Sequence, residues 1–307
     1  MISKSILLTG GSGVIGRTLC ERLINTHKII GIGTDYSRIP EFIRHHKNFK
    51  FYERDFLKIK SVDDLQITEK IDIVIHLAGL VSGNNRSEED YFKINAGSTK
   101  LLLDFSFKNS CKAFALASSV SVLSGKSVYA RSKLQAEKYC SEANLDTSIF
   151  RIASVYGNGT KSFVSKLYSL YKKGIYPFIK TEKPKSLIHI EDLVQVLVTW
   201  VEKVSKGESV LPVYVISHPE SVTIREVVGM FQGQNKGFRR LPIPVFNFAV
   251  SIFDQFYQFQ RKLRKLPFHS SPLTPLLHSI EIYDAVSWNQ LGIKPNWDLR
   301  KGISQYK

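Results

Sequence analysis

The sequence predicts an α/β fold, a doubly wound parallel sheet with a smaller, mostly helical C-terminal region. Three observations carry that prediction. Short apolar runs alternate with helical patterns through the first half of the chain. A glycine-rich turn joins the first apolar run to the first helical pattern. After about Val155 the alternation stops, and helical stretches are separated by Pro- and Gly-rich segments such as Gly174 to Pro184 and Leu266 to Pro275.

The elements follow in order. Ser5 to Leu8, Lys28 to Ile32, Phe49 to Tyr52, Ile71 to Leu77, Ala113 to Ala117 and Thr147 to Arg151 read as strands. Ile15 to Asn25, Tyr91 to Asn109 and Tyr129 to Asn144 read as helices between them, which argues for right-handed βαβ units. The expected division is 1–155 for a dinucleotide-binding domain and 156–307 for a mainly substrate-binding region, with about 187–204 packing back on the core.

Composition bounds the function. The chain has 307 residues, 43% apolar and 23% charged, with a net charge of +16. That length supports a large core, and the balance is that of an ordinary globular protein. The basic excess suits a solvated surface or a phosphate-bearing ligand. It comes without zinc-finger spacing or a long Lys/Arg block, so no nucleic-acid partner is expected. Cys20, Cys111 and Cys140 are odd in number and widely spaced, which fits free thiols in a reducing compartment and no metal site. Met1 to Lys4 leads directly into an apolar strand, without the pattern of a signal peptide, and a cytoplasmic location is the expectation. Leu241 to Phe259 is the most apolar long stretch, but Asn247, Asp254, Gln255 and Gln258 interrupt it. Residues 241–268 also carry Arg261, Lys262, Arg264 and Lys265; packing in the cap or at a subunit interface is preferred there over a basic helix lying on a membrane.

The segment Thr9 to Gly16 marks a dinucleotide site. Gly10 suits the tight turn, Gly13 lets the backbone approach a pyrophosphate, and Gly16 lets helix and strand pack closely. Ser12, Val14 and Ile15 complete a helix start whose N–H groups and dipole face the phosphates. At the end of the second strand, where a carboxylate would bind the ribose of NAD, stands Gly33, with Asp35 two residues on. Thr34, Ser37 and Arg38 suit a 2′-phosphate if Asp35 points away, so NADP(H) is favoured slightly over NAD(H).

Tyr129 and Lys133 are four residues apart and share one helix face, just after Ser118-Ser119 at the end of a strand. A hydride moving to or from a carbon must be matched by a proton on its oxygen. Tyr129 suits that role, because the positive charge of Lys133 favours its phenolate.

These segments resemble the extended short-chain dehydrogenase/reductase family, in its NAD-dependent epimerase/dehydratase branch. The Gly-x-x-Gly-x-x-Gly spacing and Tyr129-x-x-x-Lys133 match it. So do Asp55-Phe56, His76-Leu77-Ala78-Gly79, Asn95-Ala96-Gly97-Ser98-Thr99, Arg151 to Gly159 and Lys185 to Leu193, and the likeness runs almost the length of the chain. The resemblance implies a Rossmann fold in which Asp55 and Phe56 bracket the adenine, while Leu77, Ala78, Gly79 and Asn95 line the cofactor. It implies that Lys133 also holds the nicotinamide ribose, and that Ser119 orients the substrate oxygen. Ser119 is chosen over Ser118 because it stands three residues before Val122, in register with the family's Val-Tyr-Gly signature; here Leu123-Ser124 replace the Tyr-Gly. His76, His189 and Asp192 are expected to be structural. Lys166, Arg239 and Arg240 are candidates for a substrate diphosphate.

The activity implied is oxidoreduction of a nucleotide sugar, first as NADPH-dependent reduction of a 4-keto sugar for surface-polysaccharide precursors. A 4-epimerase holding NAD tightly, a steroid-type hydroxy dehydrogenase and a non-catalytic dinucleotide sensor are the alternatives. Family likeness also implies a homodimer.

Overall fold

The computed structural model describes residues 4–81, 86–160, 162–173, 175–177, 183–232, 239–241, 280–303 and 305–306. In chain order the elements are β1 (Ser5–Thr9), α1 (Val14–Leu23), β2 (Lys28–Gly33), α2 (Glu41–Arg44), β3 (Phe49–Glu53), β4 (Ile73–His76), α3 (Glu88–Tyr91) and α4 (Ser98–Lys108). There follow β5 (Ala113–Ser119), α5 (Val128–Ser141), β6 (Thr147–Ile152), β7 (Ser154–Tyr156), α6 (Phe163–Lys172), β8 (Ile175–Pro177), β9 (Lys185–His189), α7 (Ile190–Lys206) and β10 (Val213–Ile216). The last are β11 (Ser221–Val222), α8 (Ile224–Gln232), β12 (Arg239–Leu241), α9 (Ala285–Leu291) and α10 (Leu299–Ile303).

Seven strands form one sheet in the order β10-β6-β5-β4-β1-β2-β3, and every pairing in it is parallel. The order reverses direction at β1, so the carboxyl ends of β1 and β4 flank the crevice where a doubly wound sheet takes its ligand. Side chains alternate between faces, and two apolar cores result. Ile6, Leu8, Ile73, Ile75, Ala113, Ala115, Phe150 and Ile152 point to one face and pack with α1, α7 and α9. Leu7, Val74, Phe114, Leu116 and Ile149 point to the other and pack with Leu102 and Leu103 of α4 and Ala136 and Cys140 of α5. All six expected strands of the first half belong to this sheet.

Helix α7 contributes Leu193, Val194, Val196, Leu197, Trp200 and Val201 to the first core. The Trp200 indole N–H donates to Ser148 Oγ at 3.0 Å, which satisfies the one polar group of a fully buried ring. A third core forms around α6, α8 and α10, from Tyr156, Phe163, Leu167, Leu187, Val227, Phe231 and Ile303. Thr223 caps α8: it accepts from the Glu226 N–H at 3.2 Å, and Glu226 Oε2 accepts in return from the Thr223 N–H at 2.7 Å. Asp192 accepts from the backbone N–H groups of Asn296 and Trp297, at 2.9 and 3.2 Å, and so ties the C-terminal segment to the start of α7. His189 stacks on Trp297 with centroids 4.1 Å apart. Both residues do structural work at these contacts.

The helix expected over Tyr91 to Asn109 is divided. Between α3 and α4 the backbone runs as a π-helical segment, Phe92–Gly97. Within that segment the buried Asn95 reaches the turn after β4 and bonds both backbone groups of Leu80. Such bulges often stand beside functional sites.

Among the described residues no helix is long and apolar enough to cross a membrane, and no cluster of side chains could hold a metal ion. The reading of the basic aromatic segment falls, beyond Leu241, outside the described residues, as do the side chains of Arg239 and Arg240.

Candidate active site

The turn after β1 is shaped by what glycine lacks. Gly10 has a φ of +73°, and a Cβ there would stand 2.8 Å from the Ala78 backbone nitrogen. A Cβ on Gly16 would fall within contact distance of the Gly10 carbonyl oxygen, 2.7 Å from Gly11 Cα. The turn therefore lies flat against the end of β4, and α1 starts directly beneath it. No side chain caps α1 at Gly13, and its first turn holds no acid. Its first N–H groups and positive dipole end are thus presented to an anion. Gly13 is exposed, with Ser12, Val14 and Ile15 half-buried around it. This cradle fits a dinucleotide pyrophosphate.

The turn after β4 carries Leu77, Ala78 and Gly79. Thr9 holds it by accepting from the Ala78 N–H at 3.1 Å, and Thr9 Oγ1 lies 2.6 Å from His76 Nδ1. The other His76 nitrogen lies 3.0 Å from Ser98 Oγ. Burial and the nearby Lys133 charge push the imidazole down to about 3. His76 is thus a neutral strut between β1 and α4. Across the turn, a Cβ on Gly79 would stand 2.9 Å from Asn95 Oδ1 and 3.1 Å from Lys133 Nζ. Gly79, Asn95 and Lys133 therefore meet at one point beside the glycine turn. Asn95 donates to Ser132 Oγ at 2.9 Å, and Ser132 donates to the Tyr129 carbonyl at 2.9 Å, which fixes the first turns of α5.

Ser127 caps α5 by accepting from the Ala130 N–H at 3.0 Å, so the helix begins where Tyr129 is delivered to the crevice. Lys133 is buried and donates to the Ala117 carbonyl of β5 at 2.7 Å. Burial lowers its ammonium to about 8, against the opposing pull of Cys140 and Glu137. Tyr129 is half-buried; burial raises its phenol above the usual tyrosine value, and a hydrogen bond with Ser119 draws it partly back. Ser119 also accepts from Ser121, N–H at 3.2 Å and hydroxyl at 3.0 Å. Ser119, Tyr129 and Lys133 converge where β5 meets α5, on the crevice side of the sheet. Near neutral pH the phenol is protonated and the amine charged, so the site holds a proton donor beside a cation.

The end of β2 is different. Thr34 and Arg38 are exposed. Asp35 caps a short turn over Tyr36–Arg38, accepting from the Ser37 N–H at 3.0 Å and hydroxyl at 2.5 Å, and it pairs with Arg38 at 3.1 Å. The Ser37 hydroxyl and backbone and the Arg38 charge hold its carboxyl below the usual range. Its charge is directed at its own turn. Gly33 borders Ser12: a Cβ there would lie 3.5 Å from Ser12 Oγ and 3.1 Å from the Phe51 ring. Phe56 is buried against His76, centroids 6.0 Å apart, and Asp55 caps the following turn through the Leu57 N–H at 2.9 Å. Lys166 is exposed on α6. The turn after β7 reaches the start of α1, where a Cβ on Gly159 would lie 3.6 Å from Val14.

One polar group of this region has no counterpart in the sequence expectations. Glu137 of α5 is buried, accepts from Ser118 at 2.5 Å and pairs with Arg151 of β6 at 2.7 Å. Its position was visible in the spacing: Glu137 follows Tyr129 and Lys133 at a further four residues, on the face that enters the core.

Known proteins share this architecture. The family model described as NAD dependent epimerase/dehydratase matches residues 6–216. A UDP-glucose 4-epimerase from Vibrio cholerae is 24% identical over 98% of this chain and 94% of its own. A dTDP-4-dehydro-6-deoxyglucose reductase from Escherichia coli is 24% identical over 73% of this chain and 80% of its own. Among solved structures, UDP-glucuronic acid 4-epimerase from Bacillus cereus, in complex with UDP-glucuronic acid and NAD, aligns with a TM-score of 0.73 and 19% identity, covering 98% of each chain.

Proposed function

The chain belongs to the NAD dependent epimerase/dehydratase family, and from that premise we propose that it reduces a 4-keto nucleotide sugar with NADPH. The observation that carries the proposal is that α5 brings Tyr129 and Lys133 to the end of β5 at Ser119, with Lys133 bonded to the Ala117 carbonyl and close to Gly79. The dinucleotide, when bound, supplies the hydride. Gly10, Ser12, Gly13, Val14, Ile15 and Gly16 would hold its pyrophosphate, Asp55 and Phe56 its adenine, and Leu77, Ala78, Gly79 and Asn95 the wall of its pocket. Thr34 and Arg38 would meet the adenosine 2′-phosphate, with Asp35 held in the same turn by Ser37 and Arg38. Tyr129 gives its proton to the sugar oxygen, Ser119 orients that oxygen, and Lys133 steadies the phenolate left behind. Residues 1–155 serve the cofactor in this reading. Residues 156–307 serve mainly the sugar, apart from about 187–204 in the core.

The preference for NADPH rests on Gly33 at the usual acidic position and on Asp35 being engaged by Ser37 and Arg38. Epimerisation is the second reading, favoured by the near-complete coverage of the Vibrio cholerae 4-epimerase. One experiment separates them. The purified protein is denatured and its small molecules are identified by mass spectrometry; the folded protein is then given NADPH with dTDP-4-dehydro-6-deoxyglucose, or UDP-glucose alone. Stoichiometric NADPH oxidation with the keto sugar supports reduction. Retained NAD and interconversion of UDP-glucose without net oxidation would replace that reading with epimerisation.

A further inference from the structure

Three consecutive residues of β5 are joined to three residues of α5 spaced one turn apart. The Ala117 carbonyl accepts from Lys133 at 2.7 Å, the Ser118 hydroxyl donates to Glu137 at 2.5 Å, and the Ser119 hydroxyl faces the Tyr129 phenol. The outer contacts involve the proposed catalytic groups; the middle one does not touch them. Glu137 is also held from the neighbouring strand. Arg151 reaches it through Nε, at 3.1 and 3.2 Å to the two carboxylate oxygens, and through a terminal nitrogen at 2.7 Å. Ser118 and Arg151 are register partners in the β5–β6 ladder, so one carboxylate clamps two adjacent strands to one helix.

This geometry matters because Ser118 and Ser119 are neighbours on a strand. Their side chains leave the backbone in opposite senses, and a shift of one displaces the other. Lys133 holds the Ala117 carbonyl, and the ladder to β6 runs on to Ser119, the partner of Ile152. The Ser118–Glu137 bond adds a side-chain restraint to that ladder, one residue before Ser119, and turns the strand end toward α5. A charge-assisted bond from a hydroxyl to a buried carboxylate is short and directional. Arg151 spares that carboxylate the cost of an unpaired buried charge.

We infer that Glu137 is a positioning residue, which through Ser118 sets the direction in which β5 presents the Ser119 hydroxyl to the Tyr129 phenol. The inference rests on the reading of Ser119 and Tyr129 as the reacting pair.

The sharp test is Ser118→Ala, which removes one hydroxyl and leaves the Glu137–Arg151 pair intact, with Ser118→Thr restoring the hydroxyl. Two readouts are taken: kcat and KM on the substrate found by the preceding experiment, and the ultraviolet titration of the Tyr129 phenol, obtained as the difference from Tyr129→Phe. Tyr91 of α3 and Ser119 of β5 face that phenol. Ser118→Ala is expected to lower kcat about fivefold, the scale of one net hydrogen bond, with KM and cofactor affinity unchanged. Its phenol is expected to titrate above the wild-type value, because the Ser119 bond that draws it down is weakened. Ser118→Thr recovers both. Glu137→Gln is expected to lower kcat further and to reduce the melting temperature, since Arg151 loses its partner. Unchanged kcat and phenol titration in Ser118→Ala, or equal impairment in Ser118→Thr, would overturn the inference. Full turnover in Tyr129→Phe is a separate result, and removes the catalytic reading itself.

Discussion

The crevice end of α5 and the turn after β2 both face the cofactor in the proposed reading, yet they are built in opposite ways. Beside α5, Lys133, Glu137 and Asn95 are buried, and each is fixed by a partner on another element: Lys133 to Ala117, Glu137 to Ser118 and Arg151, Asn95 to Leu80 and Ser132. At the β2 turn Thr34 and Arg38 are exposed, and Asp35 bonds only residues two and three positions away. Burial makes each interaction at α5 expensive to lose, because an unpaired polar group there has no water to replace its partner. Exposure makes each at the β2 turn cheap to rearrange. In the proposed reading, chemistry sits where the side chains are buried and paired, and cofactor choice where they are exposed.

That contrast is broken most severely at Lys133. Lys133→Met is expected to lower turnover by roughly a hundredfold or more, the range of one general acid–base group, as read by NADPH oxidation. A loss below about threefold would move the chemistry away from α5. In the wild-type chain, turnover in the reductive direction is expected to decline as pH rises through about 8, where Lys133 sheds its proton. The stability effect has the opposite sign. The folded value, about 8, lies below the ordinary value of 10.5, so the unfolded chain holds the proton more tightly between them. Urea denaturation should therefore show stability rising with pH across that interval, and Lys133→Met should flatten the rise.

Gly16→Ala comes next. The added methyl meets backbone, which cannot swing aside, and the expected cost is about 1–3 kcal/mol in stability with weaker cofactor binding. Differential scanning calorimetry and a cofactor titration read the two effects. A variant with unchanged melting temperature and affinity would show that the glycine turn and α1 are not packed as closely as described.

Arg38→Ala gives the smallest effect and sharpens the comparison most. Losing one exposed phosphate contact should weaken NADPH binding about tenfold and leave NADH binding nearly unchanged. Equal weakening of both would argue against a 2′-phosphate at this turn.

The same division explains what the sequence made legible. Buried strands must be apolar and the helices between them amphipathic, so all six strands and the three helical regions of the first half were readable from periodicity. The glycine turn was readable because backbone contacts at Gly10 and Gly16 admit no side chain. The Tyr129–Lys133 spacing follows from helix geometry alone. The π-helical segment was not readable, since the Asn95–Leu80 bonds within it join residues far apart along the chain. Glu137 was overlooked for a related reason. A glutamate in a helix is ordinarily solvated, and only the arrival of Arg151 and Ser118 from two strands makes it a buried clamp. The role of Asp35 was legible as a question alone, because its side chain can face either its own turn or a ribose.

The central claim is that Tyr129 passes a proton to substrate beside a cofactor held at the glycine turn. Its most direct test is Tyr129→Phe, measured by cofactor affinity and by single-turnover hydride transfer from NADPH to the keto sugar. Wild-type affinity with hydride transfer slowed by roughly a hundredfold or more is the predicted result. Hydride transfer at the wild-type rate would contradict the account.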